Sequence, residues 1–165
     1  MEQRECRELI GTAFASRPYP GDDRIAHADA RYPDYEGHRV SLFFRGKAWR
    51  QVTFGALAHD YRGDPTATIF FMTEDGFCYY LPAFLLMALD PQGGDIADTL
   101  VFALTAPEQH KGEDLRRFRA RMDRLSTNER AAVICTLRCL AERYDGDGLP
   151  DNPARIALKS YWEPS

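Results

Sequence analysis

The sequence predicts a mainly α, compact fold of one domain spanning residues 1–165, and three observations carry that expectation. Apolar side chains recur at helical spacing over 3–15, over 115–125 and along the run that follows Ser126. Residues that open helices (Thr53, Ser126, Asn152) and residues that stop them (Gly46, the turn at 145–150) stand at the edges of such stretches. Strand-like composition is confined to short runs, chiefly 67–81. A small β-hairpin there would make the fold α+β, which is the alternative.

The elements follow in chain order. Cys6, Leu9, Ile10, Ala13 and Phe14 share one face of a first helix over 3–15, and Arg17-Pro18-Tyr19-Pro20-Gly21-Asp22 ends it, since proline lacks the amide hydrogen. A second helix is expected over 33–45, with Pro33 at its first position, Gly46 just past its end, and Tyr35, Leu42 and Phe43 facing inward. Val40 to Phe44 also reads as a short strand, and Gly37 weakens the helix. Thr53 caps a short helix through Tyr61 that buries Phe54, Leu57 and Ala58.

The segment 67–81 has two readings. Thr68-Ile69-Phe70-Phe71-Met72 suits a strand, with Thr73-Glu74-Asp75-Gly76 as a hairpin turn. Alternatively Thr73 caps a helix through Tyr80. Pro82 is expected to open a helix over 82–89, and Asp95 to cap one over 96–104.

In the C-terminal part, Leu115, Phe118, Met122 and Leu125 mark a helix. Ser126 and Glu129 form a capping box for a long one carrying Val133, Leu137, Leu140 and Tyr144. Asp145-Gly146-Asp147-Gly148-Leu149-Pro150 stops it. Asn152 caps and Pro153 opens a last helix with Leu158, Tyr161 and Trp162.

Composition narrows the function classes. An apolar content of 44% with 28% charged residues is ordinary for a globular chain and argues against intrinsic disorder. A formal charge of −4 gives no pull toward nucleic acid or anionic membrane. The most apolar window, 77–89, is too short to span a bilayer, so no membrane segment is expected. No export signal is evident, and Cys6, Cys78, Cys135 and Cys139 form no CxxC pair; reduced thiols in the cytoplasm follow.

Phe44-Arg45-Gly46-Lys47-x-Trp49, then Tyr79-Tyr80-Leu81-Pro82-Ala83-Phe84-Leu85, then the capped helix 127–144, resemble a family of small bacterial proteins of unknown function. The resemblance covers nearly the whole chain. It implies no activity and no site residues. It does imply that the position of Gly76 is often a non-glycine residue in relatives, which favours the helix over the hairpin at 73–80.

Chemistry-bearing groups are sparse. His59-Asp60 and His27-x-Asp29 suit a divalent ion, yet no pair of histidines, His110 and His38 included, lies at helical ligand spacing. Cys135 and Cys139 share a helix face but lack a second ligand pair, so they read as core residues. Cys78 has no neighbour to activate it. Asp145-x-Asp147 lacks the glycine and the distal Glu of a calcium loop, because Pro150 and Ile156 occupy those places. Arg116, Arg117, Arg119, Arg121 and Arg124 read as the solvated side of a core helix, diluted by Glu113, Asp114 and Asp123. No metal, cofactor or catalytic set is expected.

What remains is surface recognition. Aromatics interleave with carboxylates in loops, and Asp22, Asp23, Tyr35, Asp60, Tyr61 and Asp64 are the residues expected to bind a protein partner. The expectation is an immunity-type protein that neutralises a basic toxin encoded beside it. The alternatives are an enzyme using His59-Asp60 or His27 and Asp29, and an adaptor subunit associating through apolar surface at Trp49 or Trp162.

Overall fold

The computed structural model describes residues 3–29, 31–32, 35–108, 112–148 and 151–163. Eight α-helices occur among them: α1 Gln3–Ala13, α2 Glu36–Phe44, α3 Phe54–Asp60, α4 Glu74–Ala88, α5 Gly94–Leu104, α6 Glu113–Met122, α7 Thr127–Gly146 and α8 Pro153–Ala157. Short 3-10 turns join several of them, and Leu158–Trp162 continues α8 as a wider π-type turn. The mainly α expectation holds. No sheet forms among the described residues, where the strand-like contact is an isolated antiparallel bridge between Ala26 and Met72.

The centre of the molecule is α4. Every residue from Gly76 to Leu85 is buried, as are Met87 and Ala88, so this helix is apolar all round rather than along one stripe. Helix α1 packs on α7, α5 packs beside α4, and α7 carries α8 at its far end. That arrangement settles the ambiguous segment. Pro65–Phe71 is a 3-10 turn capped by Asp64, and Thr73 caps α4 by accepting from the Gly76 amide at 3.0 Å. The hairpin at 67–81 is therefore incorrect. Met72 pairs instead with Ala26, and the Thr73 amide donates to Ile25 O at 3.0 Å, so the backbone groups a hairpin would use are already satisfied.

Gly76 lies in the first turn of α4, against the Ile25 carbonyl, where a Cβ would collide with the backbone. Close approach, not turn geometry, makes glycine the fitting residue there. Pro82 does not open a helix; it sits inside α4. Its missing amide costs one helix hydrogen bond, and burial of the whole helix outweighs the roughly 3 kcal/mol penalty.

Other expectations need smaller corrections. Leu42 points outward, 66% exposed, while Val40, Phe43 and Phe44 make the inner face of α2. In α3 Leu57 is buried, but Phe54 and Ala58 are exposed, because this two-turn helix lies at the surface. Gly93, not Asp95, precedes α5, and Asp95 stands in its first turn. Pro33, Leu149 and Pro150 lie outside the described residues.

The capping signals were good guides. Ser126 accepts from the Glu129 amide and Glu129 reaches back to the Ser126 amide. Thr53 accepts from the Ala56 amide, and Asn152 from the Arg155 amide with Pro153 next in line. Glu129 has a second partner: Arg17, from the loop after α1, forks onto both its oxygens at 2.6 Å. A buried carboxylate thereby ties the start of α7 to the end of α1.

The aromatic motifs are structural. Gly46 takes φ +69° just after α2, and the chain turns there toward Trp49. The fully buried Tyr80 hydroxyl lies 2.8 Å from both Phe44 O and Lys47 O, clamping that turn onto α4.

Candidate functional site

Of the six residues expected to bind a partner, Asp22, Asp64, Tyr61 and Tyr35 make contacts within the molecule. Asp22 is engaged within the molecule: it accepts from Tyr19 and from the Gly46 amide at 3.2 Å. Asp64 caps the following turn through the Thr66 amide at 2.9 Å. Tyr61 is buried and donates its hydroxyl to Glu36; burial first, and then that carboxylate, push its pKa up. Tyr35 is half-buried, edge-on to Phe71 at 5.5 Å. Asp23 and Asp60 are exposed, in different elements.

The alternatives fare similarly. His59 and Asp60 are exposed on α3, and His38 Nε2 lies 3.0 Å from Asp29 O, while Asp29 pairs with Arg31. His110 lies outside the described residues. Trp49 and Trp162 are buried, Trp162 donating to Leu104 O at 2.8 Å, so neither offers apolar surface to an adaptor. Asp145 pairs with Arg155 and accepts from Asn152 at 2.8 Å, as a helix-stop turn would use it. Along α6, Arg116 and Arg117 pair with Glu113, and just beyond it Arg124 pairs with Asp75.

A concave surface among the described residues lies elsewhere. Helices α5, α6 and α8 and the 3-10 turn at Pro65–Phe71 enclose a groove of about 960 Å³. Its floor includes Val101, Phe118 and Met122, all buried. Its walls carry Phe102, 71% exposed, Ile156, 50% exposed, and Phe70, 42% exposed. Phe70 and Phe102 meet edge-to-face with centroids 5.9 Å apart, so the two rings hold one another in place across the lip. Single exposed apolar residues are common, but three of them converging on one groove are not.

The rim is charged and lopsided. Asp98, Glu108, Asp114 and Asp151 border the groove, and no ion pair engages them among the described residues. Asp98 accepts from the Tyr144 hydroxyl at 2.7 Å; burial and this carboxylate push the Tyr144 pKa up, so the hydroxyl stays protonated and donating. The two arginines at the groove are otherwise occupied. Arg117 pairs with Glu113, and Arg121 donates to Met72 O at 3.1 Å beneath the Phe77 ring. Burial holds the Arg121 pKa below its usual value. The groove therefore presents an apolar floor under carboxylates, with no nucleophile–base pair among its lining residues.

Part of this was visible in the sequence. Ile96, Ala97, Leu100, Val101 and Leu104 make the buried stripe of α5, and Phe102 falls off that stripe. An aromatic residue on the wrong face was the available signal. Phe70 and Ile156 join it only through the tertiary arrangement.

A family model described as "Family of unknown function (DUF6714)" matches residues 8–165, so the chain belongs to that family. No curated protein and no solved structure matches it.

Proposed function

We propose, starting from membership of a family with no assigned activity, that the protein is a binding module whose α5–α6–α8 groove takes a segment of a partner protein. The partner segment is an amphipathic helix, apolar on one face and bearing Lys or Arg beside it. The observation that carries the reading is the convergence of Phe70, Phe102 and Ile156, all solvent-exposed, on a single groove. Grooves between helices take an apolar helix face as a ready fit. The four rim carboxylates, which make no ion pair among the described residues, select for basic neighbours and steer them in.

A narrower proposal gives the partner's identity: a toxin encoded beside this chain, neutralised by direct binding. What supports it is the charge of −4, which suits a basic partner, and a groove with no nucleophile–base pair among its lining residues. Co-expression with the neighbouring gene product tests it. Rescue of growth by the wild type and loss of rescue by Phe102→Asp is the expected pair of results. Equal rescue by both, or none by either, refutes the toxin reading.

A further inference from the structure

From the convergence of Cys6, Cys135 and Cys139 we infer that the seam between α1 and α7 is a binding site for a soft, thiophilic metal ion, with copper(I) the best match. Cys135 and Cys139 are one helical turn apart on α7, and α1 crosses that face and delivers Cys6 to it. The three sulfurs lie within 4.8 Å of one another. Three sulfurs sharing one ion at the usual metal–sulfur length of about 2.3 Å would stand roughly 4 Å apart, so modest side-chain adjustment closes the set.

Burial fits a site with a mouth. Cys6 and Cys135 are buried, while Cys139 is partly open to solvent and gives an ion a way in. Ordinary core packing explains one small buried cysteine, or two on a helix face. It gives no reason for a third to meet them from a helix at the other end of the chain. The surroundings also suit a bound thiolate. Thr136 Oγ1 stands 3.6 Å from Cys6 Sγ and donates to Ala132 O at 3.0 Å, so a hydroxyl is at hand to turn toward the sulfur.

Coordination number selects the ion. Thiolates favour copper(I), zinc(II) and iron–sulfur clusters. Structural zinc takes four protein ligands in a tetrahedron, whereas the described residues bring three. Three sulfurs complete a trigonal copper(I) set. Each sulfur that binds gives up its thiol proton to solvent, and no redox step is involved.

The test is titration of the reduced full-length chain with copper(I) under a competing chelator, without oxygen. One equivalent is expected to bind, with a sulfur-to-metal charge-transfer band. Loss of an outer-shell partner weakens metal sites by about 10–100-fold, so Cys6→Ser and Cys139→Ser are expected to weaken binding by more than about 100-fold. Cys78→Ser, outside the cluster, is expected to leave it unchanged. X-ray absorption of the wild-type copper complex is expected to show three sulfur neighbours, a readout that survives if a variant misfolds. Binding that ignores Cys6→Ser, a sulfur count below three, or preference for zinc(II) at equal concentration would each overturn the inference.

Discussion

Replacing Glu129 with Gln removes one charge from the most deeply buried ion pair among the described residues. Glu129 is 4% exposed and accepts from Arg17 Nε and Nη2 at 2.6 Å each and from the Ser126 amide at 2.8 Å. Breaking a buried pair by removing one partner costs about 3–5 kcal/mol, because the other charge is left behind. Two features reduce that here. Arg17 retains some solvent contact, its side chain being 19% exposed, and a Gln oxygen still accepts from Ser126. A loss of about 2–3 kcal/mol at neutral pH follows. Urea denaturation followed by circular dichroism measures it, as a lower midpoint with an unchanged slope.

The pH dependence gives an independent check. Burial raises the Glu129 pKa, but the bonds from Arg17 and Ser126 outweigh it and hold the carboxyl below its ordinary value. A depressed carboxylate contributes stability that is present above the unfolded value of about 4.3 and disappears as pH falls through the folded one. The gap between wild type and Glu129→Gln should therefore narrow below about pH 4. A variant within about 0.5 kcal/mol of wild type at pH 7, or a gap that widens in acid, would refute the reasoning.

Two further substitutions probe the centre of the fold. Gly76→Ala would stabilise an ordinary helix by up to about 1 kcal/mol, but here the new Cβ meets the Ile25 carbonyl, so a fall in melting temperature is expected; a rise would show that the approach is loose. Tyr80→Phe strips a buried hydroxyl from Phe44 O and Lys47 O and should cost about 1–3 kcal/mol by urea denaturation, and a neutral result would mean that the clamp is incidental.

Those same positions show how far the sequence could be read. Local chemistry was legible: Thr53, Ser126 and Asn152 cap helices wherever a side-chain oxygen can reach an orphan amide, because capping depends on neighbours in sequence alone. Phe77 to Leu89 misled for the opposite reason. A helix buried on all sides has no periodic stripe, and Pro82 reads as a boundary until packing is known. Thr68 to Phe71 carries β-forming side chains in a 3-10 turn, since its packing neighbours α2 and α5 offer it no strand to pair with.

The candidate site was less legible still. Asp22, Tyr61 and Asp64 combine the side chains that interfaces favour, but the fold uses them to hold its own loops. Phe102 off the α5 stripe was the one hint of the groove. Cys6 meets Cys135 and Cys139 only because α1 crosses α7, a contact that spacing along the chain does not encode.

The groove is the claim on which the functional account stands, and peptide binding tests it most directly. The probes are two model helices that share a Leu/Phe face, one with Lys on its other face and one with Glu. Amide chemical shifts of the labelled full-length protein report where they bind. The Lys peptide is expected to perturb residues around Phe70, Phe102 and Ile156, less strongly as salt rises. Phe102→Ala should weaken it by at least about tenfold while costing no more than about 1.5 kcal/mol of stability, the worth of its pairing with Phe70. Equal binding of the Glu peptide, shifts centred elsewhere, or no binding by either peptide would contradict the account.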